Sequence, residues 1–426
     1  MINFYGDYNV HFIGVGGVSM HNLALFCKSI GWNVSASDIK NNQYCEQCEK
    51  NGIKVHIGHK KSNIGNANII IKSGAIKDEN IELKYAKNKN IVILDRADFL
   101  AEITKKFKTV ISVAGTHGKS TTSYMIYNIL KDAGKKVSCH IGADIIDQKI
   151  NLDDEILVVE ACEYNKSFLK LKTDIGVVLN VDNDHLECYG TYYQLKNSFI
   201  TFLKHAKARY VFDCNSTEFI KVRNLIKVNK PIMKKNQFKF EDKIFKFDKI
   251  IGEQYACDAS VAIKICLSLG VKYKVIYNSL KKLNYLPIRN ELIGKIKGAK
   301  IIIDYAHHPT EIKFLMENYK NRRNLFIFQP HTFSRTKLLK DDFVKVLSND
   351  NVVIYKEYSA REKSTEGLSA YQLYEEIYKL NENVKYFDSV NPLETYIGNK
   401  LASSLDNIFF IGAGDINEVA QMIAKS

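Results

Sequence analysis

The residues best suited to chemistry lie in one stretch, Val110-Ile111-Ser112-Val113-Ala114-Gly115-Thr116-His117-Gly118-Lys119-Ser120-Thr121-Thr122. Its apolar half reads as a strand covered on both faces. Gly115 and Gly118 let the backbone curl so that successive N–H groups face one concavity. Lys119 adds a cation, and Ser120 offers a hydroxyl to a hard metal ion. A helix over 121–131 would aim its positive end at the same point. The chemistry this suggests is phosphate binding, in a P-loop shortened to two residues between the glycines. We therefore expect the site to bind a nucleoside triphosphate with Mg²⁺, through Gly115, Thr116, His117, Gly118, Lys119, Ser120 and Thr121.

Further candidates recur where apolar runs end. Ile156-Leu157-Val158-Val159 stops at Glu160-Ala161-Cys162-Glu163-Tyr164, and Ile175-Gly176-Val177-Val178-Leu179 stops at Asn180-Val181-Asp182-Asn183-Asp184-His185. Mg²⁺ prefers hard oxygen ligands, so Glu160 is a candidate ligand and His185 a less usual one. Later, Lys300-Ile301-Ile302-Ile303 leads to Asp304, His307, His308 and Glu311. Leu325-Phe326-Ile327-Phe328 leads to His331 and Arg335, and Val352-Val353-Ile354-Tyr355 leads toward Arg361. Histidines and arginines gathered at one sheet edge suggest an active role for the group.

Parallel strands alternating with helices would bring these ends together, because ligands of open parallel sheets collect at the carboxyl ends of the strands. The first segment fits the same scheme. Val10 to Ile13 is a strand running into Gly14, Gly16 and Gly17, and a helix over 21–30 follows. A strand over 33–37 then ends at Asp38, and another over 69–72 ends at Ser73. A nicotinamide dinucleotide is the alternative ligand here, but the spacing is not G-x-G-x-x-G. Residues 204–247 are lysine-rich and irregular, with Phe238 to Phe247 alternating as a hairpin does, and 256–269 reads as an apolar core helix. Domains are expected at 1–106, 107–286 and 287–426.

A chain of 426 residues can bury two or three cores. No apolar run approaches a membrane span and no secretory leader is evident, so a cytoplasmic protein without a membrane partner is expected. The net charge of +14 comes from dispersed lysines with no nucleic-acid module, so no nucleic-acid partner is expected and anionic small substrates are favoured. Nine scattered cysteines fit reduced thiols rather than a disulfide framework.

In order along nearly the whole chain, these motifs resemble those of the Mur ligases. The resemblance rests on His11 to Gly17, Arg96-Ala97-Asp98, Ala114 to Thr122, Glu160 to Tyr164, Asn180 to His185, Asp304 to Glu311, Gln329 to Thr336, Ala360 to Lys363 and Gly412 to Ile416. It implies an α/β fold of three domains. The first is a Rossmann-like UDP-binding domain, the second a P-loop ATPase-type domain with a mostly parallel sheet, and the third a Rossmann-like domain that closes over both. The implied substrates are UDP-N-acetylmuramate, L-alanine and ATP, with Mg²⁺ and an acyl-phosphate mechanism, in a monomer or homodimer. Carried onto matching positions, Lys119 holds the phosphates, and Ser120, Glu160 and His185 ligate Mg²⁺. Arg289 also reaches the phosphates. Asp304 and His308 contact the nucleotide, while His331, Arg335 and Arg361 face the amino acid and the reacting carboxyl. The Gly14–Gly17 turn, with Asp38 and Ser73 at neighbouring strand ends, serves the UDP-sugar.

The chain departs from the family pattern in places. Ser120 stands for the usual threonine, and Gln254-Tyr255-Ala256-Cys257-Asp258 stands where the family has His-Asn-x-x-Asn near the adenine. The segment 142–151 lacks an expected second glycine. No carbamylated lysine is expected, since Phe199 or Ile200 falls at that place. A family member that recycles a tripeptide onto the same UDP-sugar is the rival activity.

Overall fold

The computed structural model describes residues 2–145, 148–212, 219, 222–234, 237–349, 351–360, 362, 367–401 and 404–425. Arg361 and Lys363 lie outside them. The chain divides into two compact units, 1–248 with 255–283, and 249–254 with 284–426.

The larger unit holds two parallel sheets and, further along, a small antiparallel one. The first is built from β1 (Asn9–Ile13), α1 (Val18–Ser29), β2 (Asn33–Asp38), α2 (Gln43–Lys50), β3 (Lys54–Ile57), β4 (Ile69–Lys72), α3 (Ile81–Asn88), β5 (Val92–Asp95) and α4 (Arg96–Thr104). Its order is β3-β2-β1-β4-β5, every pair parallel. The second uses β6 (Thr109–Ala114), α5 (Lys119–Asp132), β7 (Val137–His140), β8 (Ile156–Glu160), β9 (Ile175–Val178), α6 (Leu186–Tyr189), α7 (Tyr192–His205), β10 (Ala208–Phe212) and β11 (Leu225–Val228). It is parallel throughout, in the order β11-β10-β9-β6-β8-β7, with β6 at the middle. A parallel sheet needs covered faces, and Val110, Ile111, Val113, Leu157, Val158, Val159, Val177 and Val178 are all fully buried. One continuous core runs through both sheets, from Phe4 and Trp32 to Phe168 and Phe199.

The lysine-rich stretch contributes an antiparallel sheet of β12 (Ile232–Lys234), β13 (Gln237–Phe240) and β14 (Lys243–Lys246). The expected hairpin is there, and its alternation buries Phe238, Phe240, Phe245 and Phe247. Next come α8 (Glu253–Ser268), the expected apolar helix, and α9 (Tyr273–Lys282).

The smaller unit is one sheet with helices on both faces. Its elements are β15 (Glu291–Ile296), β16 (Ala299–Asp304), α10 (Pro309–Asn318), β17 (Asn324–Phe328), α11 (Phe333–Leu338), α12 (Lys340–Leu347), β18 (Val352–Tyr355), α13 (Ala370–Tyr378), β19 (Lys385–Phe387), α14 (Val390–Leu401), β20 (Asn407–Ile411) and α15 (Ile416–Lys425). The order is β15-β16-β20-β17-β18-β19, with only β15 antiparallel. Separate apolar clusters pack its two faces.

Two helices begin earlier than the sequence suggests. α1 starts at Val18 rather than near His21, and α5 at Lys119 rather than Thr121. In both cases a glycine occupies the N-cap. Gly118 takes the left-handed conformation (φ 81°), which turns the chain into the helix at once.

Candidate active site

The phosphate loop leaves β6 and is clamped by the chain that leaves β9. Thr116 N–H donates to Asn180 O at 3.2 Å. His117 N–H donates to Asn180 Oδ1 at 2.8 Å, and Asn180 Nδ2 returns a bond to His117 O at 3.1 Å. Asp182 N–H donates to Thr116 Oγ1 at 2.9 Å, and Asp182 Oδ2 lies 3.1 Å from His117 Nε2. At Gly118, where φ is 81°, a Cβ would lie 2.5 Å from Asp258 Oδ1 on α8, so a larger residue is strained there. The sequence singled out Asp258 as a departure from the family; its carboxylate packs against the phosphate loop itself.

Within this clamp Lys119 bends back over its own loop. Its Nζ donates to Gly115 O at 2.6 Å and Thr116 O at 3.0 Å, and pairs with Glu163 at 3.1 Å (Oε1) and 3.0 Å (Oε2). Burial alone would push the Lys119 pKa down, but Glu163, Cys162 and Glu160 together outweigh it and the pKa is raised. Glu163 is itself buried, with Tyr189 Oη donating to its backbone carbonyl. Sequence reading quoted Glu163 within a motif and missed this part; its signal was an acid three residues after Glu160, on the same strand end.

Ser120 Oγ donates to Glu160 Oε2 at 2.8 Å, and Gly142 N–H donates to the same oxygen at 2.8 Å. Ser120 and Glu160 are thus brought together. His185 stands apart from that pair, with Nε2 3.9 Å from Glu163 Oε1 and 3.5 Å from Asp184, Nδ1 3.5 Å from Glu187, and the Tyr164 ring against it. Among the described contacts none joins His185 directly to Glu160. The oxygens of Ser120 and Glu160 are the donor type that Mg²⁺ takes.

The glycine turn of the first domain also closes on neighbouring strand ends. Gly14 has φ 84°, and a Cβ on it would meet Ser73 Cβ at 3.0 Å. Gly16 N–H donates to Asp38 Oδ2 at 2.8 Å, and Asn42 Nδ2 donates to Gly16 O at 2.9 Å. Gly14, Gly16, Gly17, Asp38 and Ser73 therefore lie together, at the carboxyl ends of β1, β2 and β4.

In the smaller unit, Asp304 ends β16 and accepts from Asn290 N–H at 2.7 Å and Ala306 N–H at 2.8 Å. Burial raises its pKa to about 6, against the opposing pull of Arg289 and these two N–H groups. The Arg289 guanidinium sits 4.6 Å from the centre of the Tyr305 ring. His308 is the N-cap of α10, its Nδ1 accepting from Thr310 N–H at 3.3 Å within a capping box completed by Glu311. Beyond β17, Arg335 Nη1 donates to His331 Nδ1 at 3.1 Å and His331 O at 3.2 Å, and the His331 ring stacks on Tyr358.

Three family models match in sequence order. The catalytic domain of the Mur ligase family matches residues 9–108, the Mur ligase middle domain 113–264 and the Mur ligase glutamate ligase domain 288–414. The chain belongs to the Mur ligase family. A curated member, the UDP-N-acetylmuramate–L-alanine ligase of Clostridium novyi (strain NT), is 34% identical over 457 residues, covering 100% of this chain and 99% of its own. Among solved structures, the UDP-N-acetylmuramate-alanine ligase of Thermotoga maritima superimposes with a TM-score of 0.82 at 23% identity, over 98% of both chains. A murein peptide ligase from Psychrobacter arcticus gives 0.73 at 19% identity, again over 98% of both. The three Mur ligase domains, their mostly parallel sheets and their order are those expected from the sequence.

Proposed function

We propose that this Mur ligase joins L-alanine to the lactyl carboxyl of UDP-N-acetylmuramate at the expense of ATP. The observation that carries the reading is the gathering of Lys119, Ser120 and Glu160 at the carboxyl ends of β6 and β8. They do so in a chain that aligns end to end with a ligase of that activity. The tripeptide-recycling activity is the second reading, favoured by the likeness to the murein peptide ligase fold.

In the proposed reaction a lactyl carboxylate oxygen attacks the γ-phosphorus of ATP and ADP leaves. The amine of L-alanine then attacks the acyl carbon of the resulting acyl phosphate. A tetrahedral intermediate collapses, inorganic phosphate departs, and the amine proton passes to solvent or a base. The first step brings anions together, so the site must supply positive charge and placement. Lys119 and the N–H groups of the loop that Asn180 does not already accept take the phosphates, the ammonium swinging from Glu163 to do so. Mg²⁺, when bound, would add positive charge at those phosphates; Ser120 and Glu160 would hold it, with His185 as a further ligand. Gly14, Gly16, Gly17, Asp38 and Ser73 are assigned to the UDP-sugar. Arg289, Asp304 and His308 are assigned to the nucleotide, and His331 and Arg335 to the amino acid and reacting carboxyl. Borders at 1–106, 107–286 and 287–426 follow this division of labour.

The test is phosphate release from ATP and Mg²⁺ with UDP-N-acetylmuramate, with and without L-alanine. Release should require both substrates and fall by roughly 10²-fold or more in Lys119→Ala, as when a charge-stabilising donor is removed. Release with a tripeptide but not with L-alanine moves the answer to the recycling activity. Silence with both refutes the ligase reading.

A further inference from the structure

The second step of the proposed reaction calls for a base to take a proton from the amine, and for a donor to the oxyanion that forms as the amine attacks. Two histidines of the smaller unit stand side by side, their ring centres 5.9 Å apart. His307 follows β16 and His331 follows β17, and the strand order β16-β20-β17 brings both to the carboxyl ends of one sheet. Both residues are half-buried, so a substrate can reach them.

The partner of Nδ1 decides which nitrogen of a neutral imidazole carries the proton. His307 Nδ1 lies 3.0 Å from Tyr305 O. A carbonyl only accepts, so Nδ1 carries the proton and Nε2 of the neutral ring holds a lone pair. At His331 the partner is of the opposite kind. Arg335 Nη1 lies 3.1 Å from its Nδ1, and a guanidinium only donates. There Nδ1 accepts and the proton sits on Nε2. The two neighbouring imidazoles are thus set in opposite tautomers, and each is held in place. The Glu311 carboxylate lies 3.6 Å from His307 Nδ1 and accepts from His307 N–H at 3.1 Å, so an imidazolium formed at His307 meets a negative charge. The Tyr305 ring stands edge-on to His307, centres 5.3 Å apart. His331 lies on the Tyr358 ring at 5.6 Å and 19°. The backbone locks that stack, with Thr332 N–H donating to Tyr358 O at 3.0 Å and Tyr358 N–H to Pro330 O at 2.9 Å.

We propose that His307 is the base that takes a proton from the acceptor amine through Nε2, and that His331 donates its Nε2–H to the carbonyl oxygen of the acyl phosphate as that oxygen becomes an oxyanion. The inference rests on the ligase reading and assigns the proton transfers of its second step. One proton of the L-alanine ammonium passes to His307 Nε2, and Glu311 faces the imidazolium so formed. The freed electron pair makes the C–N bond at the acyl carbon, while the carbonyl pair moves to oxygen, against His331 Nε2–H. When the oxyanion collapses, the carbon–oxygen bond to phosphate breaks. Phosphate leaves with that pair and with the second nitrogen proton, and His307 returns the first to water. One histidine cannot fill both roles at once, since the base is bare at the nitrogen where the donor is protonated.

The experiment measures phosphate release by the full chain with ATP, Mg²⁺ and UDP-N-acetylmuramate, with either L-alanine or hydroxylamine as the amine. Hydroxylamine is unprotonated at neutral pH and needs no residue to free its electron pair. His307→Gln should lower kcat with L-alanine by roughly 10²–10⁴-fold, the range of general-base catalysis, and leave hydroxylamine turnover within about threefold of the unaltered chain. His307→Asn, whose amide can still donate to Tyr305 O, gives the same comparison if His307→Gln does not fold. His331→Phe should slow both amines by about 10²–10³-fold, the worth of an oxyanion donor. His331→Gln brings an amide that can accept from Arg335 and still donate, so it should recover about tenfold or more over His331→Phe. No such rescue applies to His307, because an amide is not a base. L-alanine turnover unchanged in His307→Gln, hydroxylamine turnover falling in step with it, or His331→Gln no better than His331→Phe overturns this inference alone. An unaltered chain that releases no phosphate with either amine overturns it together with the ligase reading.

Discussion

Replacing Glu163 by glutamine should destabilise the larger unit by about 2–3 kcal/mol, and the figure can be worked from the geometry. Lys119 Nζ lies 3.1 and 3.0 Å from the two carboxylate oxygens, and the side chains are 13% and 3% exposed. Breaking a buried ion pair costs about 3–5 kcal/mol, because one charge is left without its partner. Here the ammonium keeps the carbonyls of Gly115 and Thr116 at 2.6 and 3.0 Å, and the glutamine oxygen can still accept. Retained bonds of this kind, worth about 1.5–3 kcal/mol each, bring the loss to the bottom of that range or just below it. Lys119→Met is the harsher change, since it strands a carboxylate that water hardly reaches. The double variant removes both charges and should be less destabilised than the two single losses summed, by about 2–3 kcal/mol. Trp32, the single tryptophan, is buried in the core that both sheets of this unit share, so its fluorescence in a urea titration reports the unfolding. The double-mutant cycle isolates the coupling. A coupling below about 0.5 kcal/mol would refute the view that this pair is held against burial by its own attraction.

Three further outcomes are expected. Glu82, fully buried, is held at about 2 although burial pushes it upward, because Ser37, Asn63 and His59 bond its carboxylate and the His11 ring lies 3.8 Å away. A depressed carboxyl stabilises above its ordinary value of 4.5 and loses that contribution as pH falls toward 2, so Glu82→Gln should flatten the acid limb of a stability–pH curve; an unchanged limb rules this out. Gly118→Ala places a methyl 2.5 Å from Asp258 Oδ1 at φ 81°, costing about 1–3 kcal/mol and weakening ADP binding, and titration with ADP at wild-type affinity would contradict it. Asp304 has the opposite sign: raised from 3.8 to about 6 by burial, it favours the fold below 3.8 and loses that contribution as pH rises through about 6, so Asp304→Asn should remove a stability change in that window, read by thermal unfolding across pH.

The strands and their chemistry-bearing ends were legible because parallel strands in a covered sheet write themselves as unbroken apolar runs. Val110–Ala114, Ile156–Val159 and Ile175–Val178 are such runs, and the polar residues after them lie where the sheet places ligands. The glycine loop between β6 and α5 was legible because few residue types can make so tight a turn. What the sequence did not show is how the site holds itself together. Glu163 pairs with Lys119 across 44 residues, and Asn180 clamps His117 across 63. Pairings of that span follow from strand order, and β6 lies between β8 and β9 in space although it precedes both in the chain.

In each unit, carboxylates answer the donors gathered at the strand ends. Lys119 is answered by Glu163, Ser120 and the Gly142 N–H by Glu160, the Gly16 N–H by Asp38, and the Asn290 and Ala306 N–H groups by Asp304. Each carboxylate satisfies a donor that would otherwise be buried or left to water, so the resting fold stays stable without ligand. Each also has to be displaced, or bridged by a cation, before phosphate can take its place. Around the glycine loop after β6 one ammonium faces two carboxylates, Glu160 and Glu163, so on the proposed function the local charge would favour a divalent cation before a triphosphate. A ligand of low charge exchanges one weak contact for another and gains little. A metal-bound triphosphate replaces several at once. On the proposed function, selection for a metal-bound nucleotide would arise from the protein's own acids as much as from the loop.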